Sequence, residues 1–333
     1  MNIEVEKINL KLKRPFGLSR GTTSERENVI VNIENNYGEA APLYYLGQTA
    51  EEITEACREL LENFKTEEDI RYLEENPWRD ELTGYPAPAL AAVSQAIYGY
   101  LAQNAGKPLF EYFGISPQES ILTSYSIGIV KPDELEAILN ENPGYSAYKL
   151  KMGSDDDIEV IKKFREISDA ELRLDVNGGW SLNEAIDKMN RLLDYDVEFI
   201  EQPIPSGNLD GLDTLTTETD IRVFVDEDLN KFGDIVDLYG KVHGINVKLS
   251  KCGLIFDTLR IIQYAKQLGM QVLLGCMVES SVGITAAAHL AGLVDYVDLD
   301  GNLLISNDPF EGVITQDGTM NLPLIAGMGV RRN

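Results

Sequence analysis

The sequence predicts an α/β chain, a parallel βα barrel joined to a smaller α+β unit, on three observations. From about residue 123, short apolar strands alternate with helix-length amphipathic stretches, the pattern of a parallel sheet. Eight such strands fall within about 180 residues, the span of a compact barrel. No G-x-G-x-x-G turn follows an early strand, as a doubly wound open sheet would want.

The smaller unit is expected over residues 1–115. Residues 3–10 and 28–33 alternate apolar and polar side chains, as half-buried strands do. Asn35-Asn36-Tyr37-Gly38 marks a turn before a third short strand. Residues 17–27, rich in Gly, Ser, Thr and charge, are expected to form a mobile loop. Helical periodicity follows at 50–64, 67–75 and 88–104. The barrel is expected over 116–304, with strands at 124–129, 148–152, 172–176, 199–201, 223–226, 245–249, 272–274 and 296–300. Its helices include 156–167 and 182–193. The tail, 305–333, has no room for another unit and is expected to return to the smaller one.

Composition narrows the function. The 333 residues carry 29 Lys+Arg against 55 Asp+Glu, a formal charge of −26. That balance argues against nucleic acid and anionic membranes as partners. It says nothing about small substrates, because a pocket can carry its own sign. The three cysteines are far apart and form no metal motif, which suits a reducing cytoplasm. No apolar leader stands at the start, and no run of about 18 apolar residues occurs. There are two histidines. His289 lies in an apolar helical run and reads as a satisfied structural residue; His243 reads as a loop or strand edge. Acid–base chemistry is left to lysines and carboxylates.

Charged residues stand where the predicted strands end: Lys149, Lys151, Asp175, Glu201, Asp226, Lys248, Asp298 and Asp300. Those of the second to sixth strands recur at intervals of roughly 25 residues, one βα unit apart, which places them on one rim. The C-terminal rim of a barrel is where active sites lie. Asp175, Glu201 and Asp226 come from neighbouring strands. Three converging carboxylates repel one another unless a cation intervenes. An all-oxygen set suits Mg²⁺, one per site. Asn177 shares the strand face of Asp175 and could orient a ligand or water. Glu227 points to the opposite side if its strand is still regular there, so Asp226 is the better ligand. Ser181 and Glu184 form a capping box that fixes the next helix.

Lys149 and Lys151 are two apart and project to the same side of the strand. Two close ammonium groups are expected to depress each other's pKa, making one a base near neutral pH. Lys248 stands across the barrel. Two lysines facing over a metal-bound substrate can remove a proton from one face of a carbon and return one to the other. The alternative for Lys248 is an electrostatic stabiliser in an elimination or cycloisomerisation. Asp298 and Asp300 share one face and invite a cation such as an α-ammonium; the bland alternative is a hydrogen-bonded pair at the barrel mouth.

These residues match a known pattern. Tyr148-Lys149-Leu150-Lys151-Met152-Gly153, Leu174-Asp175-Val176-Asn177-Gly178-Gly179-Trp180, Ile200-Glu201-Gln202-Pro203, Val225-Asp226-Glu227 and Asn246-Val247-Lys248-Leu249-Ser250-Lys251 resemble the motifs of the enolase superfamily, in its muconate-lactonizing-enzyme-like subgroup. The resemblance implies a modified TIM (β/α) barrel with an N-terminal α+β capping domain completed by the C-terminal tail. Asp298-Leu299-Asp300-Gly301 is similar to the DxD motif of dipeptide epimerases, and Cys276-Met277-Val278-Glu279-Ser280 resembles their seventh-strand segment. By that resemblance the DxD pair grips the α-ammonium of an L-Ala-L-X dipeptide, and the carboxylate of X binds Mg²⁺. Lys151 and Lys248 then exchange the α-proton of X through a metal-stabilised enediolate, with Lys149 assisting Lys151.

In Ala-Glu epimerases of this family a basic residue of the capping loop holds the Glu side chain. Aligned here, Thr23 stands at that place and Arg20 lies earlier in the turn. The loop Pro42-Leu43-Tyr44-Tyr45-Leu46-Gly47 is aromatic and apolar, which favours a hydrophobic or broad X; a cationic X is the alternative, with Glu25 or acidic neighbours nearby. Thr23, Arg20, Tyr45 and Glu279 are expected substrate contacts, with Asn177 and Glu227 behind the metal ligands. The rivals are an L-Ala-D/L-Glu epimerase, a muconate cycloisomerase, an o-succinylbenzoate synthase and an N-acylamino-acid racemase. The last three leave the DxD pair unexplained. A non-catalytic metal-stabilised binding protein would not need two opposed lysines. The expected partner is a small dipeptide, with a homo-oligomer left open.

Overall fold

The structure, a computed structural model, describes residues 2–62, 64, 66, 68, 82, 84–116, 118 and 120–333. The helix expected at 67–75 lies, apart from residue 68, outside the described residues.

The chain opens with an antiparallel sheet: β1 (Ile3–Leu18), β2 (Gly21–Ile33) and β3 (Asn36–Ala40). Glu34 and Asn35, both at positive φ, make the tight turn into β3. Helix α1 (Ala50–Leu61) starts on a capping box between Thr49 and Glu52 and buries Ile53, Cys57, Leu60 and Leu61. Helix α2 (Ala87–Asn104) has almost no solvent face. It lies so close to β3 that a Cβ on Gly38 would meet the Ala92 carbonyl oxygen at 1.9 Å, so only glycine fits there.

The expected loop at 17–27 is a paired hairpin end. β1 runs on to Leu18 and β2 starts at Gly21, with Phe16 opposite Thr23, Gly17 opposite Thr22 and Leu18 opposite Gly21. Ser19 and Arg20 form its tip. The small polar residues that suggest a loop are accommodated because a backbone ladder does not depend on side-chain type.

Eight parallel strands follow in sequential order: Tyr125–Ile127, Ala147–Lys151, Glu171–Asp175, Val197–Glu201, Val223–Val225, Gly244–Val247, Gln271–Gly275 and Tyr296–Asp298. A bridge between Thr123 and Val297 joins the first to the eighth and closes the barrel. Helices Pro132–Glu141, Asp157–Ile167, Leu182–Leu192, Leu209–Glu218, Asp234–Leu238, Ile255–Gln267 and Ser281–Ala288 fill the seven intervals. Among the described residues no helix follows the eighth strand. The chain crosses instead to the first sheet, where Lys13 N–H donates to the Leu304 carbonyl at 2.8 Å and Ser306 N–H to the Lys11 carbonyl at 2.8 Å. Further along the tail, Phe310 packs its ring on Tyr37. No helix among the described residues is long and apolar enough to cross a membrane.

The barrel interior is layered by the two-residue period of its strands. Phe199 and Phe224 stack with ring centroids 4.2 Å apart and, with Leu273 and Tyr296, form an apolar floor. Two residues further along those strands stand Glu201, Asp226, Gly275 and Asp298. The floor is full: a Cβ on Gly244 would approach the Phe224 ring to 2.3 Å. The site's carboxylates and lysines thereby stand above the floor at the C-terminal end, while Arg173, opposite Phe199 in the floor layer, is paired with Glu198.

Candidate active site

Each strand delivers its polar residue at the point where the ladder ends, so backbone pairing fixes the side chain's origin. Lys151 is opposite Asp175 in the parallel register, and Asp175 is opposite Glu201. Asp175 and Glu201 have no solvent exposure; Lys149, Asp226, Lys248, Asp298 and Asp300 are all buried. Lys151 is partly open to a cavity of about 370 Å³. That cavity is lined on the barrel side by Lys149, Lys151, Asp226, Lys248, Asp298 and Asp300, among others. Lysines of the second and sixth strands, four strands apart in a ring of eight, look at each other across it.

The buried charges form a network. Lys149 Nζ lies 2.6 Å from Glu201 Oε2, 2.7 Å from Asp298 Oδ2 and 3.4 Å from Asp175 Oδ2. Lys151 is paired with Asp175. Lys248 Nζ is 2.7 Å from Asp226 Oδ2. Burial favours a neutral Lys149, but Asp298, Glu201 and Asp175 outweigh it and hold its pKa well above the ordinary lysine value. Of the two lysines expected to depress each other's pKa, Lys149 moves the other way. The carboxylates around it decide the sign.

The carboxylates divide likewise. Burial pushes Glu201 up to about 7, with Asp175 adding to the effect. Burial also raises Asp226 and Asp175, but lysines reverse this. Lys248 and Lys251 hold Asp226 down, and Lys151 and Lys149 hold Asp175 down. Asp298 is not uncompensated: Lys149 and a 2.5 Å hydrogen bond from Ser124 Oγ bring it to about 2 against the effect of burial. Asp300 is the unneutralised member of the pair. Burial and Asp298 raise it to about 7, and it accepts one 2.5 Å bond from Ser126 N–H.

Among the described residues no three acidic, histidine or cysteine side chains already stand close enough to hold a metal ion. Lysine ammonium groups occupy the space between them. The donor set nevertheless fits a hard divalent cation. It is all oxygen and it comes from three consecutive strands. Glu201 Oε2 and Asp226 Oδ1 are buried without an aligned hydrogen-bond donor; the charges facing them are Lys149 and Lys251.

The walls above come from the first sheet. Phe16, Leu18, Arg20, Thr23, Arg26, Asn28, Leu43, Tyr44 and Tyr45 line the cavity. Thr23 lines the cavity, with its hydroxyl engaged by Arg26 and by the Glu25 carbonyl. Arg20 donates to Glu227 Oε1 at 2.6 Å and stacks over Tyr45, 4.9 Å from the ring centroid. Glu227 does not point away: the fifth strand stops at Val225, and the turn beyond brings Glu227 to the cavity beside Asn177. Glu279 does not line the cavity. It folds back to accept from Met277 N–H at 3.2 Å and Ser250 Oγ at 3.3 Å. The histidines stay out of the site. His289 Nδ1 accepts from Phe110 N–H, and burial lowers its pKa to about 4.

Two residues were missed. Asn246 donates to Glu201 Oε1 at 2.7 Å. Its signal is its place two before Lys248, on the same strand face. Lys251, 1% exposed, is paired with Asp226 and donates to the Asn246 carbonyl at 3.2 Å. Its signal is the one-turn spacing after Lys248, on the short helix Leu249–Cys252.

Residues 133–333 match the family model described as Enolase C-terminal domain-like. Over 100% of both chains the sequence is 36% identical to the L-Ala-D/L-amino acid epimerase of Maribacter sp.. It is 35% identical to the hydrophobic dipeptide epimerase of Roseobacter litoralis, covering 96% of this chain and 95% of that one. The fold superposes with a TM-score of 0.92 and 28% identity on the dipeptide epimerase of Cytophaga hutchinsonii complexed with Mg and the dipeptide D-Ala-L-Val, covering 99% of this chain and 95% of that one.

Proposed function

We propose, from the premise that this chain belongs to the enolase superfamily and is an isomerase, that it epimerises dipeptides of the form L-Ala-L-X with a hydrophobic X, inverting the α-carbon of X. The observation that carries the reading is the pair of lysines on opposed strands of one cavity, Lys151 and Lys248, with Asp300 on its wall. Lys151 acts as base and takes the α-proton from one face, and Lys248 gives a proton to the other. The reverse direction exchanges their roles. Mg²⁺ held by Asp175, Glu201 and Asp226 would supply the charge that lets a carbon beside a carboxylate lose its proton. Asp300 faces the cavity with unneutralised negative potential, suited to the free α-ammonium of the dipeptide. Lys149 keeps Asp298 and Glu201 in place.

The hydrophobic X rests on Phe16, Leu18, Leu43, Tyr44 and Tyr45 along the cavity's outer wall. An anionic X is the second reading, because Arg26 also lines the cavity. Its guanidinium, however, is stacked on Tyr44 at 5.1 Å and committed to Thr23 and the Glu25 carbonyl.

The test is incubation with Mg²⁺ and L-Ala-L-X libraries in D₂O, followed by mass spectrometry. Deuterium is expected at the α-carbon of hydrophobic X. Lys248→Ala and Lys151→Ala are each expected to stop epimerisation while leaving exchange on the single epimer that the remaining lysine faces. Exchange with N-succinyl amino acids and with no dipeptide would sink the reading.

A further inference from the structure

Under the hairpin tip a buried carboxylate is only half used. Glu227 is 8% exposed, and its Oε1 accepts from Arg20 at 2.6 Å and from Asn177 Nδ2 at 3.3 Å. Its Oε2 has no hydrogen-bond partner. Asn177, 7% exposed, leaves its Oδ1 unpartnered in the same way. A buried acceptor without a donor costs free energy, so two side by side need an explanation.

Arg20 reaches this spot from outside. Its side chain keeps 41% exposure, and its guanidinium lies over the Tyr45 ring. Arg20, Tyr45, Asn177 and Glu227 all line the cavity that holds Lys151 and Lys248. Beyond them is a second cavity of about 330 Å³, and Arg20, Asn177 and Glu227 belong to its lining too. These three residues are the partition between the two spaces.

An aromatic face, a buried carboxylate and an amide oxygen are together the parts of a site for an ammonium or guanidinium group. Here a residue of the chain itself sits in it, reaching one of the three available oxygens. We propose that Arg20 is a built-in occupant of a cation subsite made by Tyr45, Glu227 and Asn177, and that by filling it Arg20 excludes dipeptides whose X side chain is cationic. A lysine or arginine side chain entering the cavity meets a like charge while Arg20 is in place. With Arg20 gone it meets an unpaired buried carboxylate, and the second cavity gives a long side chain room. A hydrophobic X gains nothing from that exchange. The subsite stands on geometry alone; the nature of X as its ligand rests on the dipeptide reading above.

Two measurements separate these layers. In the first, methylguanidinium is titrated against wild type, Arg20→Ala and Arg20→Ala/Glu227→Gln by isothermal calorimetry. Saturable binding is expected to Arg20→Ala alone. Absence of binding, or binding that persists with Glu227→Gln, overturns the subsite and leaves Arg20 a plain latch on the hairpin. In the second, the ratio of kcat/KM for L-Ala-L-Lys to that for L-Ala-L-Leu is compared across the same proteins. Arg20→Ala is expected to raise it about tenfold, and the added Glu227→Gln to return it to the wild-type value. An unchanged ratio in Arg20→Ala overturns the exclusion. A wild type inactive on every dipeptide counts against the dipeptide reading instead, and the calorimetry still decides the subsite.

Discussion

Lys149 brings Glu201, Asp298 and Asp175 around one ammonium with 1% exposure. The alternation of its strand shows that Lys149 and Lys151 share a face. It cannot show which carboxylates arrive from the third, fourth and eighth strands, and those determine whether the ammonium is destabilised or held. The two aspartates of the eighth strand therefore separate. Asp298→Asn removes a partner of a buried ammonium and is expected to cost about 3 kcal/mol of stability, read as a lowered Tm, along with activity. Asp300→Asn removes an unneutralised buried carboxylate. It should leave Tm level or higher while raising KM for dipeptides by about a hundredfold, the effect of losing a charge-assisted contact of about 2–3 kcal/mol. Equal losses of Tm in both variants would contradict this division.

The hairpin that carries Arg20 is an element whose local sequence misleads. Gly17, Ser19 and Gly21 have weak strand preference, and nothing local reveals that Phe16 and Leu18 face a cavity. The pairing and the barrel beneath impose the form. Ser19 rests between two glycines of the rim. A Cβ on Gly179 would come within 2.8 Å of the Ser19 Cβ, and one on Gly153, at φ 116°, within 2.9 Å. Ser19 Oγ also donates to the Asn177 carbonyl at 3.2 Å. Gly179→Val is expected to lift the tip from the rim. Because the tip forms the cavity's outer wall, KM for a hydrophobic dipeptide should rise about tenfold or more, with a cost to Tm of a few degrees or less. A large fall in Tm with KM unchanged would place the role of Gly179 in the barrel itself. The barrel elements were legible throughout, because period-two and period-3.6 patterns survive burial on one face.

At the scale of the whole molecule, the joint between the two units is acidic and buried. Glu39 of β3 accepts from Ser280 N–H and Gly283 N–H at 3.0 Å, capping the helix Ser281–Ala288 of the barrel. Glu279 lies beside it. Burial and Glu39 raise Glu279 to about 8, and burial raises Glu39. The folded protein thus takes up a proton on Glu279 between about pH 9 and 7 that the unfolded chain, with an ordinary carboxyl near 4.5, does not. Stability must rise as pH falls through that window, by at most about 1.4 kcal/mol per unit for one proton. Thermal unfolding of the metal-free protein should show Tm higher at pH 7 than at pH 9, and Glu279→Gln should shrink the difference to the part that Glu201 and Asp300, both raised to about 7, contribute. A Tm rising from pH 7 to 9 would refute it. His289 acts in the opposite sense but below its unfolded value of 6.5, outside this window. None of this joint was visible in the sequence, since Glu39 and Glu279 come from opposite ends of the chain.

The bridge that closes the barrel and the tail that crosses to the first sheet set the order of events at the ribosome. Ser124 meets Asp298 across 174 residues of chain, and Lys11 meets Asn307 across 296. Until the eighth strand has emerged, the outer edge of the first strand lacks its partner. The chamber that holds Lys151 and Lys248 therefore cannot be assembled piecemeal during synthesis. Its completion waits on contacts of long sequence separation, which are the slow ones to form.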